Sequence, residues 1–253
     1  MSETPRLFEI FLDVQRGLPR QGPGCEESTR QALALCSDLP DRPAMLDVGC
    51  GPGMQTLVLA ETLNGTVTAV DLYPEYLGQL QQRAEAAGLA ERIEIVAGDM
   101  TALPYLPQSF DLIWSEGAAY VMGFAAAFNA WRALLKPAGC IAVSELVWLV
   151  PDPPSEAAAF FADEYPAMTD VETNLGAIRS CGYDVLGHFT LPDDAWWQNY
   201  YTPLEEKLPA LIDRYAGDEE ALAVIDMTRR EIEMRRHFGQ SYGYQFFVAE
   251  KAG

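Results

Sequence analysis

The stretch Leu46-Asp47-Val48-Gly49-Cys50-Gly51-Pro52-Gly53 decides the fold. AMLDVG, which runs into it, reads as a short buried strand bounded by glycines. MQTLVLAETL, which follows it, has helical spacing and stops at Asn64-Gly65. A strand that turns through glycines into a helix lets backbone approach a ligand closely, because no Cβ stands in the way. In an open α/β sheet such a turn lies at the carboxyl end of a strand, where ligands bind.

The same rhythm extends outward. TVTAVDL is a second strand and PEYLGQLQQRAEAAGL a helix, with Pro74 in its first turn and Gly88 after its end. RIEIVAGD and SFDLIWSEG are the third and fourth strands. FAAAFNAWRALL is a helix stopped by Lys136-Pro137, and GCIAVSELVW is the fifth strand. Regular alternation implies a parallel sheet with right-handed crossovers. After a Pro-rich, acidic stretch (151–168) come a helix at VETNLGAIRSCG and a strand at YDVLGHFTLP. Residues 193–239 then read as an aromatic run followed by amphipathic helices, before a last apolar strand, YGYQFFVAEK. The expected organisation is one domain over 1–253. Residues 1–43 form a helical lid with a Gly/Pro break at 20–24, and 193–239 form a helical insertion covering the substrate.

Composition narrows the function. The 253 residues carry a net charge of −20, from 37 acidic against 17 basic groups. Nucleic-acid affinity comes largely from Lys and Arg at phosphates, so nucleic acid is excluded as a partner, and anionic lipid for the same reason. A small neutral or cationic molecule fits better. No stretch approaches the ~18 consecutive apolar residues of a membrane span. The five cysteines include no C-x-x-C pair, and the start MSETPRLFEI lacks the pattern of a signal peptide. The expectation is a reduced, cytoplasmic protein without a metal site, since His188 and His237 stand apart from each other and from the cysteines. A homodimer is compatible with this reading.

The glycine loop reads D-x-G-x-G-x-G, and Met54 stands where a dinucleotide fingerprint needs its third glycine. Asp47 would sit poorly beside a pyrophosphate. It would suit an ammonium and a sulfonium, the two cationic groups of S-adenosylmethionine. No Gly-Lys-Ser/Thr follows, which excludes a P-loop. Asp71 ends the second strand, 22 residues after Gly49, about where a ribose-binding carboxylate is expected. Asp99 closes the third strand, placed to accept from an adenine amine with Met100 against the ring. Each acid has a plainer alternative as a helix cap or turn residue. Three acids closing three successive strands around one glycine loop is the more specific pattern.

LDVGCGPG, AVDLYPEY, AGDM, FDLIWSEG and LLKPAGCIAVSE together resemble the class I S-adenosylmethionine-dependent methyltransferases. More narrowly, they resemble the small-molecule branch related to ubiquinone/menaquinone-biosynthesis methyltransferases. The resemblance covers residues 44–150. It implies a Rossmann-like, mostly parallel seven-stranded α/β sheet of order 3-2-1-4-5-7-6, helices on both faces, and S-adenosyl-L-methionine as cofactor. It assigns Gly49, Cys50, Gly51 and Gly53 to the cofactor cradle, with Asp47 near the amino-acid end. Asp71 and Leu72 go to ribose, Gly98, Asp99 and Met100 to adenine, and Ser115 to the same site. The insertion at 193–239 departs from the minimal family pattern, so acceptor identity does not carry over.

Methyl transfer needs alignment and water exclusion, and a base only where the acceptor has a proton to lose. Glu116 and Tyr120 follow the fourth strand and are the first candidates for catalytic groups. Tyr200 and Tyr201 are the second pair. Glu145, Trp196 and Trp197 are candidates for substrate binding. The run Trp196-Trp197-Gln198-Asn199-Tyr200-Tyr201 suits an apolar ring or a cation, and packing of the insertion is the alternative. The leading expectation is methylation of a small molecule at an unspecified atom. The alternative is a catalytically silent S-adenosylmethionine-binding regulatory module.

Overall fold

The computed structural model describes residues 6–253. The first five residues of the expected 1–43 lid lie outside the described residues. Helices α1 (Arg6–Gln15) and α2 (Glu26–Ala34) precede the sheet. The alternating core is β1 (Ala44–Val48), α3 (Met54–Thr62), β2 (Thr66–Asp71), α4 (Pro74–Ala86), β3 (Ile93–Ala97), β4 (Phe110–Glu116), α5 (Phe124–Arg132) and β5 (Leu135–Trp148). Then come α6 (Ser155–Glu164), a two-residue strand β6 (Thr169–Asp170), α7 (Val171–Ser180) and β7 (Tyr183–Thr190). The segment before the last strand holds α8 (Asp194–Trp196), a π-turn (Trp197–Tyr201), α9 (Thr202–Arg214) and α10 (Glu219–Phe238), and β8 (Tyr242–Lys251) ends the sheet.

The sheet order is β3-β2-β1-β4-β5-β8-β7, with β6 beside β5. Setting β6 aside, this Rossmann-like order is the expected 3-2-1-4-5-7-6. The β1–β5 core is parallel, and β8 runs antiparallel to both β5 and β7. Order reverses between β1 and β4, which opens the crevice at their carboxyl ends. Side chains alternate across the strands as the pleat demands. Leu112 and Trp114 of β4, with Phe246 and Val248 of β8, pack in the layer that holds Ala32 and Leu80. Ile113, Phe247 and Ala249 face the other layer, against Phe128, Trp131 and Ile178.

Two features depart from the sequence expectation. Lys136-Pro137 does not separate helix from strand. The α5 helix ends at Arg132 and β5 already begins at Leu135, paired with Phe110. Pro137 is accommodated because the β4–β5 register shifts between Phe110 and Leu112, while Ala138 takes a left-handed backbone with φ 56°. The stretch 151–168 contains α6, whose SEAAAFFADE sequence becomes helical once past the consecutive Pro153-Pro154.

A third apolar cluster joins the N-terminal segment to the late helices. Val14, Leu18, Phe160, Trp196, Tyr201 and Ile232 are all buried in it. Asp13 reinforces the join, with its Oδ1 at 2.7 Å from Arg16 and its Oδ2 at 2.6 Å from Arg214. No helix among the described residues is long and apolar enough to cross a membrane.

The α3 helix starts from Gly53, which sits at φ 84°. A Cβ there would lie 2.2 Å from Leu80 Cδ1 on α4. Gly53→Ala should therefore cost about 2–4 kcal/mol, from left-handed strain plus overpacking. Urea unfolding measures it, and an unchanged midpoint would show that the loop tolerates a side chain.

Candidate active site

Two adjoining cavities occupy the carboxyl end of the sheet. The first has a volume of about 260 Å³. Its floor is Gly49, Cys50 and Gly51 after β1, Asp71, Leu72 and Tyr73 after β2, Gly98, Asp99 and Met100 after β3, and Glu116 and Gly117 at the end of β4. Phe8, Phe11, Leu12 and Arg20 cover it from the N-terminal segment. Gly49 has φ 71°, and a Cβ there would come within 2.4 Å of the Ala118 Cβ. Only a glycine keeps this wall close.

Asp71 and Asp99 are built differently. Asp71 is buried and accepts from Gly51 N at 2.8 Å and Tyr73 N at 2.9 Å. Burial raises its pKa, and those backbone donors hold it back. Its carboxylate thus ties the tip of the glycine loop to the end of β2. It does not cap α4, whose N-cap is Tyr73. Asp99 Oδ1 accepts from Thr101 N and Thr101 Oγ1, at 2.8 and 2.7 Å, which lowers its pKa and leaves Oδ2 free.

Asp47, Gly53 and Ser115 stand outside this lining. Asp47 is fully buried behind the loop, and its Oδ2 accepts from Thr56 Oγ1 at 2.6 Å. Burial raises its pKa to about 7 against the pull of Thr56, and its Oδ1 has no partner. It anchors the first turn of α3 to β1. Ser115 is buried and donates to Val48 O at 2.9 Å, joining β4 to β1.

Glu116 is the most heavily engaged carboxylate. Its Oε2 lies 2.7 Å from Arg20 Nη1, and its Oε1 accepts from Thr29 Oγ1 at 2.7 Å and Trp114 Nε1 at 2.9 Å. Both side chains of the pair are nearly inaccessible, 6% exposed for Arg20 and 4% for Glu116. Arg20 Nε remains buried without a partner. The sequence reading placed Arg20 in the Gly/Pro break of the N-terminal lid and assigned it no partner on the sheet. The available signal was its position in the RQGPG break, where chain reversal returns it to the sheet.

The second cavity, also about 260 Å³, shares Phe11, Gln21, Gly22, Pro23, Gly117 and Tyr120 with the first. Trp196, Tyr200, Tyr201 and Glu145 line it, and Trp197 does not. The π-turn accounts for this division, since it aims Trp196, Tyr200 and Tyr201 inward while Trp197 packs outward under Arg236. Tyr120, half exposed, stands at the junction of the two cavities. The lining adds residues that sequence reasoning missed. Tyr242 and Tyr244 share one face of β8, and Met227 and Glu231 share one face of α10, so strand and helix periodicity were the available signals. Phe160, Phe161 and Glu164 come from α6, which the sequence reading left unassigned.

Tyr201 Oη donates to Glu231 Oε1 at 2.8 Å, and Gln15 Nε2 donates to Tyr200 Oη at 3.4 Å. Burial, and then the Glu231 charge, push both phenols well above their ordinary pKa, so they remain neutral hydroxyls. Glu145 is 2% exposed. Its Oε1 accepts from Leu146 N at 3.0 Å, and its Oε2 has no partner. Burial raises its pKa to about 7, moderated by Leu146 and Tyr165. Among the described residues no group of His, Cys, Asp and Glu is placed to hold a metal ion.

Residues 45–139 match the family model described as a methyltransferase domain. A sterol 24-C-methyltransferase of Gibberella zeae is 27% identical over 222 residues, covering 80% of this chain and 57% of its own. The chain thus spans little more than half the length of that relative. The 27-O-demethylrifamycin SV methyltransferase of Amycolatopsis mediterranei is 26% identical over 244 residues, 89% of this chain and 84% of its own. The structure of a SAM-dependent methyltransferase from Geobacter sulfurreducens, in complex with S-adenosyl-L-homocysteine, superimposes with a TM-score of 0.79. That match is 22% identical and covers 98% of this chain and 99% of the other. The family match covers the glycine loop and the ends of β1–β4. The Trp196–Tyr201 run, Glu145 and Glu231 lie beyond it.

Two outcomes follow from the buried carboxylates. Glu116→Gln leaves Arg20 buried without its counter-charge and should destabilise the protein by about 3–5 kcal/mol in urea unfolding. Glu145 gives the second. Below about pH 4.5, the ordinary value for Glu, the residue is protonated in both the folded and the unfolded chain. Between there and about 7 the unfolded chain releases the proton while the folded one keeps it. Stability is therefore lost as pH rises through this window, on the order of 2–3 kcal/mol. The parent minus Glu145→Gln difference in unfolding free energy should trace that loss, and a flat difference would show that Glu145 is solvated.

Proposed function

We propose that the protein transfers a methyl group from S-adenosyl-L-methionine to a small-molecule acceptor bound in the second cavity. The observation that carries this reading is the adjacency of two unlike cavities. One is lined by strand-end acids and a glycine loop, the other by aromatic side chains, and they meet at Gly117 and Tyr120.

The first cavity suits the cofactor on three counts. Gly49 keeps a wall that a Cβ would fill. Asp71 spends one lone pair on each of its two backbone donors, which leaves acceptor capacity for ribose hydroxyls. Arg20 Nε is buried, unpartnered and part of a cleft-lining residue, as a carboxylate partner would require. Asp99 Oδ2 and Met100 would frame the adenine. Asp47 acts indirectly, by holding the loop from behind. Bound there, the cofactor supplies an electrophilic methyl with its leaving group already in place.

The chain's own residues then supply position and dryness. Arg20 is held against Glu116, so Gln21, Gly22 and Pro23, which follow it, form a wall common to both cavities. Residues 1–43 act as the cofactor lid, and 193–239 as the acceptor cover. Glu116 has its charge offset by Arg20 and serves as a positioning residue. Tyr200 and Tyr201 orient the acceptor as neutral hydroxyls, and Trp196 provides an apolar wall. The narrower placement beside ubiquinone/menaquinone-biosynthesis methyltransferases rests on the motifs alone. The strong negative charge supports a small molecule over nucleic acid.

Calorimetry with S-adenosylhomocysteine tests the cofactor reading. Asp71→Ala should weaken binding by about 1.5–3 kcal/mol, the scale of a charged hydrogen bond. Unchanged affinity would remove Asp71 from the site. Labelled cofactor incubated with a metabolite extract should yield a labelled small product. With the acceptor in hand, Tyr200→Phe should shift its KM or kcat while cofactor affinity and Tm hold. A pure stability loss would make Tyr200 a packing residue.

A further inference from the structure

The second cavity has a distinctive electrostatic character. Of its 19 lining residues, 10 are aromatic and three are glutamates, Glu145, Glu164 and Glu231. None is Lys, Arg or His among the described residues. The acids come from three elements, Glu145 from β5, Glu164 from α6 and Glu231 from α10. Sequence proximity therefore does not explain their meeting. Nor are they gathered to ligate a metal.

Two of these acids have explained surroundings. Glu164 is exposed at the rim, and Glu231 accepts from Tyr201. Glu145 is less fully met. It is 2% exposed, belongs to the lining, and its Oε2 has no partner at hydrogen-bonding distance, although the Tyr165 hydroxyl in the same lining is near enough to hold its pKa down. A buried carboxylate oxygen without a donor is costly, and such a group in a native cavity calls for a partner. Trp196 Nε1 and Tyr242 Oη are buried without partners in the same lining, which leaves room for an oxygen acceptor on the same ligand. They are neutral, however, and Glu145 is the group whose satisfaction matters most.

A ligand that satisfies Glu145 must bring a donor, and positive charge makes that donor strongest. Aromatic faces attract the same charge through their quadrupoles, more so when desolvated. An anionic ligand would meet three carboxylates, while the nearest guanidiniums, Arg235 over Trp196 and Arg230 over Phe160, are not part of the lining. We infer that the acceptor is an organic amine that enters as its ammonium ion and is held by Glu145 among the aromatic side chains. This deepens the methyltransferase reading and rests on it. The ammonium gives one proton to Glu145 Oε2, which frees the nitrogen lone pair. That pair forms the N–C bond, the C–S pair passes to sulfur, and the product leaves as a methylated ammonium while Glu145 returns its proton to solvent. The raised pKa of Glu145 is consistent with a group that exchanges a proton near neutrality.

The test uses the full chain saturated with S-adenosylhomocysteine. Three probes of one shape are titrated by calorimetry: phenethylamine, 2-phenylethanol and phenylacetate. The amine should bind at least about tenfold tighter than the alcohol, and phenylacetate weaker than both. Glu145→Gln should cost the amine about tenfold and leave the alcohol within about twofold. Glu231→Gln, a second variant, should narrow the amine preference by a smaller factor. Retained S-adenosylhomocysteine affinity and Tm show that each variant is folded. The inference is overturned if the alcohol or the acid matches the amine, if neither variant alters the preference, or if the amine does not bind at all. Failure with S-adenosylhomocysteine still bound removes only the amine. Failure of S-adenosylhomocysteine itself to bind removes the methyltransferase reading.

Discussion

The buried pair between Arg20 and Glu116 is the contact on which both cavities depend. Glu116 ends β4, at the point where strand order reverses, and Arg20 belongs to the N-terminal segment. Their 2.7 Å contact crosses the mouth of the crevice, and Thr29 and Trp114 satisfy the remaining lone pairs of Glu116. A buried pair holds best when its other hydrogen bonds are met, and here the Glu116 side is met while Arg20 Nε still lacks a partner. The wall formed by Gln21, Gly22 and Pro23 follows from where Arg20 is held.

The carboxylates at this end of the sheet show how environment separates chemically identical groups. Asp47 and Glu145 are buried with an unmatched oxygen each, and burial lifts both toward neutrality. Asp47 is enclosed behind the loop and serves the fold through Thr56. Glu145 faces a cavity and has somewhere to send a proton. Asp99 is open to solvent and stays ionised with help from Thr101. One residue type thus serves as a structural anchor, as a candidate proton acceptor and as a fixed charge.

Much of the cofactor side was legible because it is local. LDVGCGPG, Asp71 and Asp99 each sit within a few residues of a strand end, and the β–α alternation places those ends in a row. Burial was not legible. Asp47 and Ser115 occupy loop-adjacent positions as Asp71 does, yet each lies one residue inside its strand, where the pleat turns it into the core, whereas Asp71 is the last residue of β2. The second cavity was legible only as the Trp196–Tyr201 run. Its other walls, on α6, α10 and β8, meet through contacts far apart in the chain. A π-turn, which no propensity announces, decides that Trp196 faces inward and Trp197 outward.

The sequence by itself determined the alternation of strands and helices and the glycine turn, because hydrophobic period and glycine spacing act over short stretches and each strand end is set by its own neighbours, whereas the strand order was implied by the resemblance of its motifs to a known family. It also determined the sign of the net charge. The tertiary structure alone decided which carboxylates face a cavity and which face the core. It paired Arg20 with Glu116 across 96 residues and set Glu145 opposite Glu231 in one aromatic chamber. Burial and electrostatic pairing depend on every element that closes around a group, and no local stretch of chain carries that information.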